Sequence, residues 1–175
     1  MYLLRETQGD KGRVQLLGSG TILREVEAAA ELLANDWGVG ADIWSVTSFN
    51  ELRREALLLD REAFLSPDAE ANKPHVTQCL AGRDGPVIAS TDYMKLYADQ
   101  VRAWVPGDYT VLGTDGFGRS DTREKLRYFF EVDRYFVTVA ALRALAERGE
   151  IDRKLVGDAL KKYGIDANKP NPLTS

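Results

Sequence analysis

The stretch RVQLLGSGTILREVEAAAELLAND, residues 13–36, changes its periodicity at a pair of glycines. RVQLLGSG, Arg13 to Gly20, is short, apolar and ends in glycines, which suits a strand covered on both faces. Beyond Gly20, the residues Ile22, Val26, Ala30 and Leu33 recur at helical spacing and share one face. Gly18 and Gly20 suit the tight turn between the two, where a side chain would obstruct the backbone. Trp37 and Gly38 close the helix, because glycine readily takes the left-handed conformation found at helix ends.

The same alternation continues along the chain. ADIWSVTSF (41–49) is rich in β-branched and aromatic residues and is a predicted strand. NELRREALLLDREAFL (50–65) is a predicted helix with Asn50 as its N-cap. SPDAEANKPH (66–75) reads as a loop, VTQCLA (76–81) as a short extended piece and GRDG (82–85) as a turn. PVIAST (86–91) is the next strand, followed by a helix over 93–105 that Asp92 caps and Pro106 stops. YTVLGT (109–114) is another strand. Three helices complete the chain, over 123–132, 134–148 with Asp133 and Gly149 at its ends, and 153–164 capped by Asp152. Such alternation predicts an α/β fold, a mainly parallel sheet with helices on both faces in a Rossmann-like three-layer arrangement. One domain is expected over 1–175, with 1–10 and 166–175 peripheral or frayed.

Composition narrows the function. With 44% hydrophobic residues in 175, the chain can bury one sizeable core. A net charge of −4 argues against a nucleic-acid or membrane surface. No apolar run approaches the roughly 20 residues of a membrane span, and the first residues lack the pattern of a secretion signal. Met1 reads equally as a start or as an internal methionine. A single cysteine, Cys79, suits a reducing compartment and is expected to be buried. One histidine, His75, and one cysteine cannot make a zinc set, and no G-x-S-x-G elbow accompanies His75.

In a parallel sheet, ligands sit at the carboxyl ends of the strands. Four loops qualify: GSGT (18–21), TSFN (47–50), STDY (90–93) and GTDGFGRSD (113–121). The first is half of a dinucleotide fingerprint, but position 23 is Leu23 where a third glycine belongs. The second strand ends in VTSF, with no acidic residue for a ribose, and no P-loop occurs. Carboxylates in REVEAAAE and LRREALLLDRE read as solvated helix faces. Asp92, Asp115 and Asp121 are better placed, at strand ends. Asp92 and Asp121 can serve as N-caps, each worth about 1 kcal/mol, and Asp121 with Glu124 has the spacing of a capping box. The residues alone describe an α/β domain without a recognisable catalytic set.

Several stretches together carry a resemblance. They are KGRVQLLGSGTILREVEAA (11–29), WGVGADIWSVTSFNEL (37–52), ASTDYMKLYADQVRAWVP (89–106), YTVLGTDGFGRSDTREKLRYFFEVD (109–133) and VAALRALAERGEID (139–152). The chain resembles the C-terminal, transketolase-like domain of the homodimeric pyruvate dehydrogenases of bacteria. The wider transketolase superfamily keeps FG-x-S, here Phe117, Gly118, Arg119 and Ser120. Residues 53–78 fit least well, and His75 belongs to no motif of the family. The resemblance implies a long, three-domain, cytoplasmic enzyme with thiamine diphosphate and magnesium between its first two domains. The GDG signature with its paired asparagines belongs to the first of these, and the cofactor-activating glutamate to the second. Neither is present here, so the resemblance implies no catalytic, cofactor or metal residue in this segment. The full enzyme is expected to decarboxylate pyruvate and to acetylate the lipoyl group of dihydrolipoyl acetyltransferase.

Two roles follow for the strand-end loops. In the first, they hold the domain against its own chain and a second subunit, with Asp92, Tyr93, Asp115, Arg119, Ser120, Asp121 and Arg123 as contact or capping residues. In the second, the chain is a free-standing module that binds a small anion at those loops.

Overall fold

A computed structural model describes residues 1–68 and 70–175. Five strands form one sheet: β1 (Tyr2–Thr7), β2 (Arg13–Gly18), β3 (Gly40–Ser45), β4 (Val87–Ser90) and β5 (Tyr109–Leu112), in the order β1-β3-β2-β4-β5. β2, β3, β4 and β5 run parallel. β1, within the residues expected to be peripheral or frayed, pairs antiparallel with β3 from Tyr2 opposite Ser45 to Thr7 opposite Ala41, with an irregularity between Leu3 and Arg5. It covers an edge of β3 whose backbone groups would otherwise lie unpaired beside a fully buried strand. Its own outer residues include Arg5 and Glu6, which discourage further strand addition.

Among the described residues seven α-helices accompany the sheet: α1 (Leu23–Leu32), α2 (Phe49–Leu65), α3 (His75–Leu80), α4 (Lys95–Asp99), α5 (Arg123–Phe129), α6 (Arg134–Glu147) and α7 (Lys154–Lys162). Strand alternation sends Val14, Leu16, Ile43 and Ile88 to one face, where they meet Val26, Ala30 and Leu33 of α1 and Ala141 and Leu145 of α6. Leu17, Trp44 and Ala89 face the other way, onto Leu52 of α2, Val76 and Leu80 of α3 and Ala98 of α4. The expected α/β architecture, with both faces covered, is therefore present.

Several local expectations are corrected. Phe49 is buried, which draws the start of α2 one residue earlier, and Ser48 rather than Asn50 is the cap, its Oγ accepting from the Glu51 N–H at 3.2 Å. Residues 76–81 are not extended. Val76 and Leu80, one helical turn apart, both bury against the sheet, so α3 is helical. Cys79 is half-buried, and burial pushes its thiol up. Gly38 does close the first helical segment, at φ 70°, after a π turn over Leu33–Trp37. Asp133 caps α6 as expected, accepting from the Tyr135 and Phe136 N–H groups at 2.9 and 3.0 Å. The tail beyond α7 is tied down: Lys169 Nζ donates to the Phe129 carbonyl at 3.0 Å and pairs with Glu131 at 2.8 Å.

A buried polar cluster holds the amino ends of the central strands. Gln15 Nε2 donates to Asp42 at 2.9 Å, Trp44 Nε1 donates to Gln15 Oε1 at 2.8 Å, and Arg13 and Arg83 pair with Asp42. Each buried group is matched, which avoids the cost of an orphaned donor or charge. No described helix is long and apolar enough to cross a membrane.

Candidate functional site at the strand ends

β2 leads through α1 on one face of the sheet, whereas β4 leads through α4 on the other. The chain therefore diverges between these two neighbouring strands, which is where open α/β sheets form their crevice. The Ser19 and Thr91 hydroxyls meet across it at 3.0 Å. A depression of about 550 Å³ opens there, lined by Thr21, Asp92, Arg119, Asp121, Arg123 and Arg127 among others.

Two loops are zipped together behind the depression. Thr114 N–H donates to the Tyr93 carbonyl at 2.9 Å, and Thr114 Oγ1 donates to the Asp92 carbonyl at 2.6 Å. Gly113 makes this approach feasible: a Cβ there would stand 2.7 Å from both the Lys95 nitrogen and the Tyr93 oxygen. Gly116, at φ 109°, lies so close to the Pro172 carbonyl that a Cβ would be 2.0 Å from it.

The seven expected residues take distinct places. Asp115 caps α4, accepting from the Lys95 N–H at 2.8 Å. Asp92 does not cap that helix, because residues 92–94 are not helical and α4 begins only at Lys95; its carboxylate instead accepts from the Thr21 hydroxyl. Asp121 does not cap α5 either. Thr122 is the extended residue before it and accepts from the Lys125 N–H at 3.4 Å, while Asp121 takes the Thr122 N–H at 2.7 Å. The Asp121–Glu124 capping box is thus replaced by a cap one residue later. Thr122→Ala is expected to cost about 1 kcal/mol in denaturant unfolding, and Asp121→Ala distinctly less; the reverse order would refute Thr122 as the cap. Tyr93 stacks on Tyr97 with ring centroids 4.8 Å apart, and Arg119 lies over the Phe129 ring at 4.0 Å. Ser120 and Arg123 are exposed.

Sequence reading missed the ionic node beside the depression. Glu25, expected on a solvated face, is 5% exposed. It accepts from Arg127 Nη1 at 2.9 Å, from Arg134 Nε and Nη2 at 2.9 and 3.1 Å, and from the Arg134 N–H at 3.0 Å. Burial pushes its carboxyl upward, but the Arg134 hydrogen bonds and the two guanidinium charges outweigh it and hold the group below its ordinary value. Asp133 nearby is pushed up by burial despite its two N–H donors. The available signal was position: residue 25 falls three after Ile22 and one before Val26, on the apolar face.

Residues 1–133 match the family model described as the transketolase-like TK C-terminal domain. The chain belongs to this family. α6 and α7 lie beyond the matched residues, but similarity to curated proteins extends through them. The chain is 63% identical over 175 residues to a protein of Pseudomonas aeruginosa named pyruvate dehydrogenase E1 component, covering 99% of this chain and 20% of that protein. It is 57% identical to the Escherichia coli (strain K12) protein of the same name, covering 98% and 19%. The chain thus spans about a fifth of the length of these curated relatives. Among solved structures, a split-gene transketolase described as an inactive beta4 tetramer aligns with a TM-score of 0.52 at 17% identity, covering 81% of this chain and 42% of that one. That likeness supports the transketolase C-terminal fold.

Proposed function

We propose that this chain is the C-terminal assembly domain of a bacterial, cytoplasmic pyruvate dehydrogenase E1 component. The longer protein would decarboxylate pyruvate and acetylate the lipoyl group of dihydrolipoyl acetyltransferase as a homodimer. The observation that carries this reading is the 63% identity sustained across 99% of the chain. Among the described residues, no three His, Cys, Asp or Glu side chains converge to hold a metal ion. No chemical step is assigned to this chain's residues.

The domain's part is to dock. Tyr93, Met94, Leu96 and Tyr97 are exposed at the start of α4, with Leu96 at 65%, and Phe117 on the neighbouring loop is 78% exposed. Clustered apolar side chains at the strand ends suit contact with another protein surface. Arg119, Ser120 and Arg123 would supply its polar rim, whereas Asp92 and Asp115 hold the loops together from within.

Two measurements test this. The reading frame upstream should continue for several hundred codons and contain GDG followed by paired asparagines; a stop codon shortly before Met1 would sink the proposal. The isolated 175-residue chain should also self-associate in analytical ultracentrifugation. A Tyr93→Ser/Leu96→Ser variant should stay monomeric and equally stable. A wild-type chain that is monomeric at every concentration would remove the docking role.

A further inference from the structure

The depression at the strand ends has a chemistry beyond apolar docking, although Arg119 and Arg123 also stand on the rim of that contact. Arg119, Arg123 and Arg127 line it together with Asp92, Asp121 and the Thr21 hydroxyl. Three arginines and two aspartates thus line it, in a chain whose net charge is −4. The carboxylates are occupied differently. Asp121 is engaged by the Thr122 N–H and lies 3.7 Å from Lys125 Nζ. Asp92 accepts from Thr21 through one oxygen.

The arginines are similarly divided. Arg127 is fixed by Glu25 at 2.9 Å and reaches Thr21 with its other terminal nitrogen at 3.4 Å. Arg119 rests on the Phe129 ring, which orients its planar fork without neutralising it. Among the described residues, neither Arg119 nor Arg123 forms an ion pair. Two unneutralised forks beside a fixed third have the chemistry to receive a tetrahedral oxyanion, since guanidinium groups bind phosphate oxygens in pairs. The same wall carries an acceptor, Asp92, which repels a bare anion but takes a hydrogen bond from a hydroxyl. The volume, about 550 Å³, lies within the range of small-molecule sites. Its place between β2 and β4 is where open α/β sheets take ligands.

We propose that this depression binds a small phosphorylated hydroxy compound, its phosphate held by Arg119, Arg123 and Arg127 and a hydroxyl by Asp92. This goes beyond the assembly role and shares Arg119 and Arg123 with it, but every group named belongs to this chain and can be tested on it directly.

The test is calorimetric titration of the 175-residue chain at low salt with inorganic phosphate, glycerol 3-phosphate and glycerol. Glycerol 3-phosphate should bind saturably and more tightly than inorganic phosphate, and glycerol should not bind. An Arg119→Gln/Arg123→Gln variant should lose at least about tenfold in affinity for both phosphates, as expected when charge-assisted hydrogen bonds are removed. Arg53→Gln, on α2 and the opposite face of the sheet, should change nothing. Asp92→Asn, which keeps an acceptor for Thr21, should weaken glycerol 3-phosphate selectively. The proposal is overturned by absence of saturable binding, by equal affinity for the two phosphates, or by indifference to the arginine substitutions. Sedimentation of the same samples reports assembly separately, so the two proposals can fail independently.

Discussion

Glu25→Gln is expected to lower the unfolding free energy by about 3 kcal/mol. The substitution keeps the shape of the side chain and removes its charge. Arg127, whose side chain is 15% exposed, and Arg134, 43% exposed, would then face each other across a neutral amide. Breaking a buried pair from one side is costly because the remaining charges stay where water cannot solvate them fully. The half-exposed position of Arg134 places the loss at the lower end of that range. For a chain of 175 residues this corresponds to a fall in Tm of roughly 6–12 °C, measurable by calorimetry. A loss below about 1 kcal/mol, the scale of an exposed pair, would show that the node is solvated.

The same residue sets a pH dependence. Because the folded-state pKa of Glu25 is lowered, its contribution is fully present above the ordinary glutamate value and is lost as pH falls through the lower folded value. Wild-type stability should therefore fall in that acidic window more steeply than that of Glu25→Gln. Asp133 has the opposite sign. Burial raises its pKa, so its charged form costs stability above that value and the cost is relieved as pH drops toward the ordinary aspartate range. Parallel acid titrations of the two proteins, followed by denaturant unfolding at each pH, give the difference attributable to Glu25.

Gly113→Ala is the second large effect, about 2–4 kcal/mol from backbone overlap and lost hydrogen bonds. An added methyl would meet backbone atoms of Tyr93 and Lys95 at 2.7 Å, and backbone cannot swing aside as a side chain can. The two loops must separate. That sacrifices the Thr114–Tyr93 bond at 2.9 Å and the Asp115 cap on α4 at 2.8 Å. Hydrogen exchange should report the damage locally, with protection lost at Lys95 and Thr114 while β2 and β3 keep theirs. Uniform loss across the sheet would mean that Gly113 serves the global fold instead of the loop pair.

Much of the architecture was legible because each element carries its own period. The apolar runs RVQLLGSG and ADIWSVTSF, and the face of Val26, Ala30 and Leu33, announce buried strands and an amphipathic helix before any contact is known, although the strands end earlier than those runs, at Gly18 and Ser45. β1 was not legible. YLLRET is largely exposed and carries two charged residues, and only the unpaired edge of β3 makes it a strand. Caps were legible where one acceptor stood alone before a helix, as Asp133 does. They were not where neighbours competed: Ser48 and Asn50, or Asp121 and Thr122, differ only in which backbone turns helical first.

The succession of β2, α1, β3, α2, β4 and β5 along the chain, the glycine turns and the family were determined by the sequence itself, since these rest on local spacing and on residue identities read in line. What only the tertiary structure decided is which distant groups meet. Glu25 finds Arg127 across 102 residues and Arg134 across 109. Asp92 finds Thr21 across 71, and Asp115 reaches back 20 to cap α4. Those meetings depend on how helices dock on the two faces of the sheet and on where the chain diverges between β2 and β4. Both are set by the burial of whole faces rather than by any short run of residues.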